Sequence, residues 1–405
     1  MDKVVCFGCG IEGRKLYNLL GKNQIDFFCD NAFRAKSLFG IAVYKPSVEV
    51  LKNRKIIITP IDYYVEIKKQ LESYGLEENI DFFSTKNYLE LIKYKRKKVR
   101  VYFIGFWDGF DINNNFFIDI LKQRYDVVIE ENNPDYVFCS MFGKPYEYLK
   151  YDGIRIFYSG ENISPDFNYV DYAVGYNRGL EYEDRFCRWF YFLRKRKQVE
   201  IDIEKKDKFC NFIYSHERDD DLRRRIFEEL SKYKRVDALG GYLKNVSDET
   251  VSMSNKVEKT KNYKFSLAIE SVTSNDFMTE KIQDAFMAYT IPIYLGGAIE
   301  DIYNKEAYID CRDYPTIEEI VKRIIQIDKD NDLYLEMLRK EMFNKSFDLE
   351  KHHQDFADFL FNIFEQDKSA AYRRMKGPQK YVTGVLYKQE EILKSISSFS
   401  KDCIK

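Results

Sequence analysis

The chain has 405 residues, 45% of them hydrophobic and 32% charged, with a formal net charge of −1. That length exceeds what one hydrophobic core serves, so two or three domains are expected. The near-neutral balance gives no global sign of a nucleic-acid partner, although charge is locally uneven.

Val4–Phe7 reads as a short buried strand, and Gly8-Cys9-Gly10-Ile11-Glu12-Gly13 as the turn opening a helix through Leu20. Ile25–Cys29 reads as a second strand ending at Asp30. Gly8, Gly10 and Gly13 followed by Asp30 fit the dinucleotide fingerprint. They read either as an NAD(P) or nucleotide site at the helix N-terminus or as a scaffold that keeps the glycine turn for packing. Cys6 and Cys9 have C-x-x-C spacing, but with no second pair they read as reduced, semi-buried thiols. A strand at Lys55–Thr59 and a helix at Tyr64–Leu76 complete a small Rossmann-like domain over residues 1–93.

Residues 94–100 read as a basic linker, or as a patch for anionic membrane. From Val101 to about residue 365, strand and helix patterns alternate, which argues for parallel α/β layers. Strands are expected at Val101–Ile104, Asp126–Glu130, Asp135–Ser140, Ile154–Ser159, Phe212–Ser215, Phe265–Glu270 and Ile291–Tyr294, and helices at Asn115–Arg124, Leu222–Leu230 and Thr279–Ala288. Residues 368–405, with Arg373, Arg374, Lys376, Lys380 and Lys388, read as a basic helical tail. It packs on its own protein, on a second copy in a homodimer, or on a membrane surface. No run approaches the roughly 18–20 apolar residues of a membrane span, and Met1 leads straight into a strand. The expectation is a cytoplasmic protein, with peripheral contact at the inner face of the membrane as the alternative.

Three segments carry chemistry. In Ile156-Phe157-Tyr158-Ser159-Gly160-Glu161-Asn162, Glu161 stands at the carboxyl end of a strand, where open α/β sheets bind ligands. A carboxylate there is either a proton acceptor with a raised pKa or a cap of the next turn. In the second segment a strand ends at Glu270, and a helix begins near Thr279 with Glu280 and Lys281 in its first turn. A lysine at a helix N-terminus opposes the helix dipole, so a bound diphosphate explains it better than chance. In the third, a strand leads to Leu222-Arg223-Arg224-Arg225. Successive helical positions point about 100° apart, so one of these arginines is expected to face a phosphate. Asp219-Asp220-Asp221 and the acidic run from Glu200 to Glu204 do not read as metal sites, and three histidines offer no His-based one.

In this order and spacing, the segments resemble the α-1,3/4-fucosyltransferases, particularly the bacterial type acting on lipopolysaccharide or capsule. The donor-side likeness lies in Tyr263-Lys264-Phe265 leading to Glu270, in Thr279-Glu280-Lys281 and in Ile291-Pro292-Ile293-Tyr294-x-Gly296. The acceptor-side likeness lies in Phe157–Asn162, Pro165-Asp166-Phe167 and Asp171–Tyr176. The resemblance spans about residues 100–365 and implies a GT-B architecture of two Rossmann-like halves, here with an extra N-terminal domain. The acceptor-side half would be 101–198 and the GDP-sugar-binding half 199–367.

The resemblance further implies inverting transfer of L-fucose from GDP-fucose to O3 of GlcNAc or Glc in a cell-surface glycan, with no metal or other cofactor. By it, Glu161 is the base, Arg224 and Lys281 meet the GDP phosphates, and Glu280 meets the ribose. Arg224 is preferred to its neighbours because it stands three residues before Phe227. Tyr263, Ser215, Glu270, Ser271 and Phe277 complete the donor side; Trp107, Asp108, Asn162 and Asp166 belong to the acceptor side. Ser271 and Phe277 depart from the family's Asn and aromatic hydroxyl, so a transferase for another sugar nucleotide is the first alternative. Readings of another class are a sugar-nucleotide oxidoreductase built on Gly8–Gly13 and a non-catalytic glycan-binding protein.

Overall fold

The computed structural model describes residues 3–144, 146–180, 184–197, 199, 201–217, 220–247, 251–252, 255–272 and 276–375. The chain divides into two compact units. The first comprises Met1–Phe157, Asp166–Tyr172 and Gln354–Lys405, and the second Tyr158–Pro165 and Ala173–His353.

The first unit begins with β1 (Val4–Phe7), α1 (Ile11–Leu20), β2 (Ile25–Cys29), β3 (Ser37–Leu38), β4 (Ile41–Tyr44), α2 (Val48–Leu51), β5 (Ile56–Ile58), α3 (Tyr64–Ser73), β6 (Phe82–Ser84) and α4 (Thr85–Leu91). These strands take the order β3-β4-β2-β1-β5-β6, parallel except for the β3–β4 pair. Phe7, Phe28, Ile57 and Phe82 are fully buried, as in a parallel sheet covered on both faces. The glycine turn is set by packing. A Cβ on Gly13 would lie 1.9 Å from the Gly8 carbonyl oxygen, and Gly8 has φ +121° with Thr59 and Pro60 pressed against it.

The same unit continues with β7 (Lys97–Ile104), α5 (Phe116–Leu121), β8 (Tyr125–Ile129), β9 (Tyr136–Cys139) and β10 (Ile154–Tyr158), β7 pairing parallel with β8 and β9, and β9 with β10. The expected linker at 94–100 is thus half strand. Lys97–Arg100 pairs with β8, because Val99 alternates into the core while Arg100 turns out to a bidentate pair with Asp135. The two sheets share a polar seam within this unit. Tyr17 donates to Asp358 at 3.1 Å, Asn18 to Gln123 at 2.6 Å and Arg124 Nε to the Asn18 carbonyl at 2.6 Å.

The second unit holds β11 (Tyr172–Gly175), its parallel neighbour β12 (Phe186–Arg188), β13 (Lys208–Phe212), α6 (Leu222–Ser231), β14 (Val236–Ala238), α7 (Lys256–Thr260), β15 (Tyr263–Ile269), α8 (Glu280–Met287), β16 (Ile291–Leu295), β17 (Ile309–Asp310), α9 (Ile317–Lys329) and α10 (Asn331–Arg339). Its main sheet is all parallel in the order β14-β13-β15-β16-β17. The strand expected at Phe212–Ser215 lies earlier. Beyond Phe212 the Tyr214 carbonyl turns to accept from the Tyr242 N–H at 2.8 Å, a close approach that Gly240 permits because a Cβ there would sit 2.2 Å from the Tyr214 carbonyl oxygen.

α11 (Leu349–Glu365) and α12 (Lys368–Ala371) follow. In the first unit, Phe364 stacks on Tyr136 with centroids 3.8 Å apart, and Tyr125 donates to Glu365 at 2.8 Å. Arg374, in the tail expected to pack on its own protein, a second copy or a membrane, is buried in an ion pair with the fully buried Asp171 of its own unit. Lys376, Lys380 and Lys388 lie outside the described residues, as does Asp219.

Candidate functional site

The main sheet of the second unit presents its carboxyl edge at Ile269, Glu270 and Leu295. Glu270 is wholly buried, and such a carboxylate is stable only when donors surround it. It accepts from the Thr279 N–H at 2.8 Å and from Lys281 Nζ at 2.9 Å, with the Thr279 hydroxyl 2.8 Å away. Lys281 lies in the first turn of α8, against the dipole. Burial pulls its pKa down, but the charges of Glu270 and Glu280 and the Glu270 hydrogen bond outweigh this and raise it. A fixed ammonium therefore stands beside the amides of a helix N-terminus. Glu280, in the same turn, lies 3.8 Å from Lys256, which also holds Asp284 at 3.0 Å.

Two glycines after β16 permit this closure. A Cβ on Gly296 would sit 2.7 Å from Glu270 Cγ, and one on Gly297 2.6 Å from the Phe277 nitrogen. Phe277 itself is fully buried and packs edge-on against Tyr176 at 5.3 Å. It supports the loop from within the core. Arg178 holds that loop from the other side, pairing with Asp276 at 3.3 Å and Asp301 at 2.6 Å, and Arg188 also reaches Asp301 at 2.7 Å.

Glu161 follows β10 in a turn capped by Ser159, whose hydroxyl accepts from the Glu161 N–H at 3.1 Å and donates to the Glu161 carbonyl at 2.8 Å. The cap is thus Ser159, and among the described residues the Glu161 carboxylate makes no hydrogen bond. Glu161 is exposed as a residue, yet partial desolvation of its carboxylate raises its pKa; Lys281 opposes the shift, while Glu280 and Glu270 add to it. Asn162 beside it accepts from the Tyr176 hydroxyl.

The sequence pattern missed Tyr191. The residue is 44% exposed, and partial desolvation together with the charges of Glu280, Asp284 and Glu161 pushes its phenol up to about 12. Its neighbours pin it: Trp189 donates to His353 at 3.2 Å, and the Phe190 N–H donates to His352 at 3.2 Å. Burial, aided by His353 and nearby cations, lowers His352 to about 3, so it stays neutral and can accept. No local pattern could reveal contacts spanning 160 residues.

The arginine run resolves differently from the expectation. Arg224 is half-buried and pairs with Asp221 at 2.6 Å, Glu228 at 3.6 Å and Glu217 at 3.9 Å, acids of its own helix and of the loop before it. Arg223 is the inward residue, 6% exposed. It donates to the His216 and Ile269 carbonyls at 3.1 Å and lies 4.2 Å over the Tyr214 ring. Ile269 precedes Glu270, so Arg223 and not Arg224 stands at the carboxyl edge. The signal was present, since Arg223, Ile226 and Leu230 share one helical face.

Ser271 and Ser215 are exposed in the loops after β15 and β13. Tyr263 is not at this edge. It opens β15 and donates to Asp237 at 2.7 Å, so the length of the strand, about 20 Å, separates it from Glu270. In the first unit, Trp107 and Asp108 are exposed beyond β7, and Asp166 accepts from the Asn168 N–H at 2.9 Å to form a turn. Asp30 accepts from Cys9 N–H at 2.8 Å and from the Ala32 and Phe33 N–H groups at 2.8 and 2.9 Å, so its carboxylate staples the Gly8–Gly13 turn. Nothing lies within 4 Å of a Cβ built on Gly10. Among the described residues, no cluster of His, Cys, Asp or Glu suits a metal ion, and no helix is long and apolar enough to cross a membrane.

Comparison with known proteins gives two family matches. The α-(1,3)-fucosyltransferase FucT N-terminal domain matches residues 101–194, and the C-terminal region of glycosyltransferase family 10 (fucosyltransferase) matches 203–372. The Helicobacter pylori α-(1,3)-fucosyltransferase FucT is 27% identical over 279 residues, 58% of this chain and 57% of that protein. Human 4-galactosyl-N-acetylglucosaminide 3-α-L-fucosyltransferase 9 is 28% identical over 184 residues, 45% of this chain and 47% of that protein. The chain thus spans about half the length of the curated relatives it matches. Among solved structures, an α1,3-fucosyltransferase with GDP superposes with a TM-score of 0.59 at 23% identity, covering 70% of this chain and 94% of the other. The same protein type with GDP-fucose gives 0.57 at 22%. This likeness gives the chain the GT-B fold.

Proposed function

We propose, since this chain belongs to the α-1,3-fucosyltransferase family of glycosyltransferases, that it transfers L-fucose from GDP-fucose to a sugar hydroxyl with inversion at the fucose C1. Glu161 takes the proton of the acceptor hydroxyl as that oxygen bonds to C1. The bond from C1 to the GDP oxygen breaks, and the electron pair leaves with GDP. Lys281, Arg223 and the first amides of α8 face the growing diphosphate charge, so the reaction needs no metal ion. We read the acceptor position as O3 of GlcNAc or Glc in a cell-surface glycan; of these, the names of the relatives support a 3-position and an N-acetylglucosaminide.

The observation that carries this reading is the buried Lys281–Glu270 pair at 2.9 Å, which fixes a cation at a helix N-terminus on the carboxyl edge of a parallel sheet. The test is GDP release from GDP-fucose with N-acetyllactosamine as acceptor. Acceptor-dependent release supports the reading, and none under saturating substrates sinks it. A second reading, transfer from another sugar nucleotide, is favoured by the burial of Phe277, which brings no hydroxyl to the site. A donor panel in the same assay separates the two.

A further inference from the structure

The N-terminal sheet and the sheet built on β7 belong to one compact unit, and a cleft of about 250 Å³ lies in the seam between them. Leu19 and Leu20 at the end of α1, with Ile92 just after α4, give it an apolar wall, and the rings of Tyr88, Tyr94 and Tyr125 also line it. Hydrogen bonds fix these walls. The Tyr94 hydroxyl donates to the Leu19 carbonyl at 3.1 Å, with the Arg124 carbonyl 3.4 Å away. Lys97 Nζ donates to the Phe364 carbonyl at 3.1 Å.

The charged lining is mainly cationic: Lys95, Lys97 and Arg124 meet a single acid, Glu365. Arg124 is only 8% exposed. Its Nε donates to the Asn18 carbonyl, Nη1 lies 3.5 Å from Glu365, and the guanidinium covers the Phe361 ring at 3.9 Å. Among the described residues its Nη2 makes no hydrogen bond. Gly21 stands beside it with no side chain, where a Cβ would lie 3.4 Å from Cζ, Nη1 and Nη2. Lys95 is exposed and makes no ion pair among the described residues. A buried guanidinium with an unfilled donor in an apolar cleft is stabilised by an anion that reaches it.

We propose that this cleft binds a small amphipathic anion, an apolar ring against the leucines and tyrosines that carries one phosphate or carboxylate to Arg124 and Lys95. The volume admits one ring with one charged group and not a dinucleotide. The site is separate from the glycine turn, which lies at the other end of the ten-residue α1, about 15 Å away. A ligand held by both sheets also clamps the seam, so its binding stabilises the unit.

The full-length protein is titrated by calorimetry with phenyl phosphate and with phenylacetate, and its melting temperature is followed in parallel. Inorganic phosphate and benzyl alcohol are the controls. Saturable binding of at least one aryl anion is expected, with a rise in melting temperature, and the tighter of the two identifies the anionic group. Each control should bind at least tenfold more weakly, because neither supplies both ring and charge. Lys95→Ala should weaken the aryl anion about tenfold, the loss expected of one charge-assisted contact, while the free variant melts like the wild type. Lys95→Glu should weaken it further. No saturable binding of either aryl anion overturns the proposal. So does a control that binds as tightly as the aryl anions, or wild-type affinity in Lys95→Glu.

Discussion

Glu161 must be ionised to take a proton from an acceptor hydroxyl, and its pKa is held above the ordinary carboxylate range. The rate should therefore rise with pH through an acid limb that lies above the value of a free glutamate. Glu161→Gln should lower turnover on the order of 10²–10⁴-fold and abolish that limb while GDP still binds. Near wild-type turnover in this variant would remove Glu161 from the role. The stability consequence has the opposite sign. A carboxylate whose pKa is higher folded than unfolded binds more protons in the native state, so its ionisation costs stability as pH rises through that window. At neutral pH, Glu161→Gln should melt at or slightly above the wild-type temperature.

The arginine pair gives a sharper test at the same scale. Arg223→Ala should weaken GDP binding by about tenfold or more, since a charge-assisted hydrogen bond contributes roughly 1.5–3 kcal/mol. Arg224→Ala should leave GDP affinity unchanged, because its guanidinium is already spent on acids of its own helix and of the loop before it. Calorimetric titration of GDP into both variants checks the assignment, and the reverse ranking would restore Arg224. Lys281 was legible because a cation in a first helical turn is locally anomalous. Glu270 was visible only as a strand end, since its burial depends on donors from a loop nine to eleven residues later.

At the scale of elements, the parallel strands and the start of α8 followed from apolar runs and helix signals. Three features escaped for physical reasons. The strand stops at Phe212 although Ile213 and Tyr214 look β-prone, because the Tyr214 carbonyl is engaged by the Tyr242 N–H from outside the ladder. Tyr263 shares a motif with Glu270, yet a strand carries its two ends apart. Tyr191 and the arginine braces Arg178 and Arg188 depend on tertiary contacts that no period encodes. The glycine pair after β16 is testable at this scale. Gly297→Ala should cost about 1–3 kcal/mol or more, because the new methyl meets backbone and not a movable side chain. Chemical denaturation gives the stability, and GDP affinity should fall with it as the Phe277–Thr279 loop is pushed from Glu270.

At the scale of the whole molecule, the N-terminal residues are part of a larger unit. The C-terminal end of α1 is bonded through Tyr17 and Asn18 to Asp358 and Gln123, whereas the glycine turn lies at the opposite end of that helix. The sequence reads as a separate Rossmann-like pattern at 1–93; its strands form a sheet of their own, while the compact unit that holds them runs on to Phe157. The seam was illegible because its partners lie up to 341 residues apart.

The buried pairing of Asp171 with Arg374 has a consequence for the order in which the molecule is made. Asp171 and Arg374 stand 203 residues apart, and Tyr125 meets Glu365 across 240. Closing such spans is slow, and they cannot close until nearly the whole chain has left the ribosome. The main sheet of the second unit, from β13 to β17 within residues 208–310, has no such wait. The half synthesised first should therefore finish folding last. Pulse-labelled hydrogen exchange during refolding should show amides of β13, β15 and β16 protected before those of β7, β9 and β10, and the opposite order would refute it.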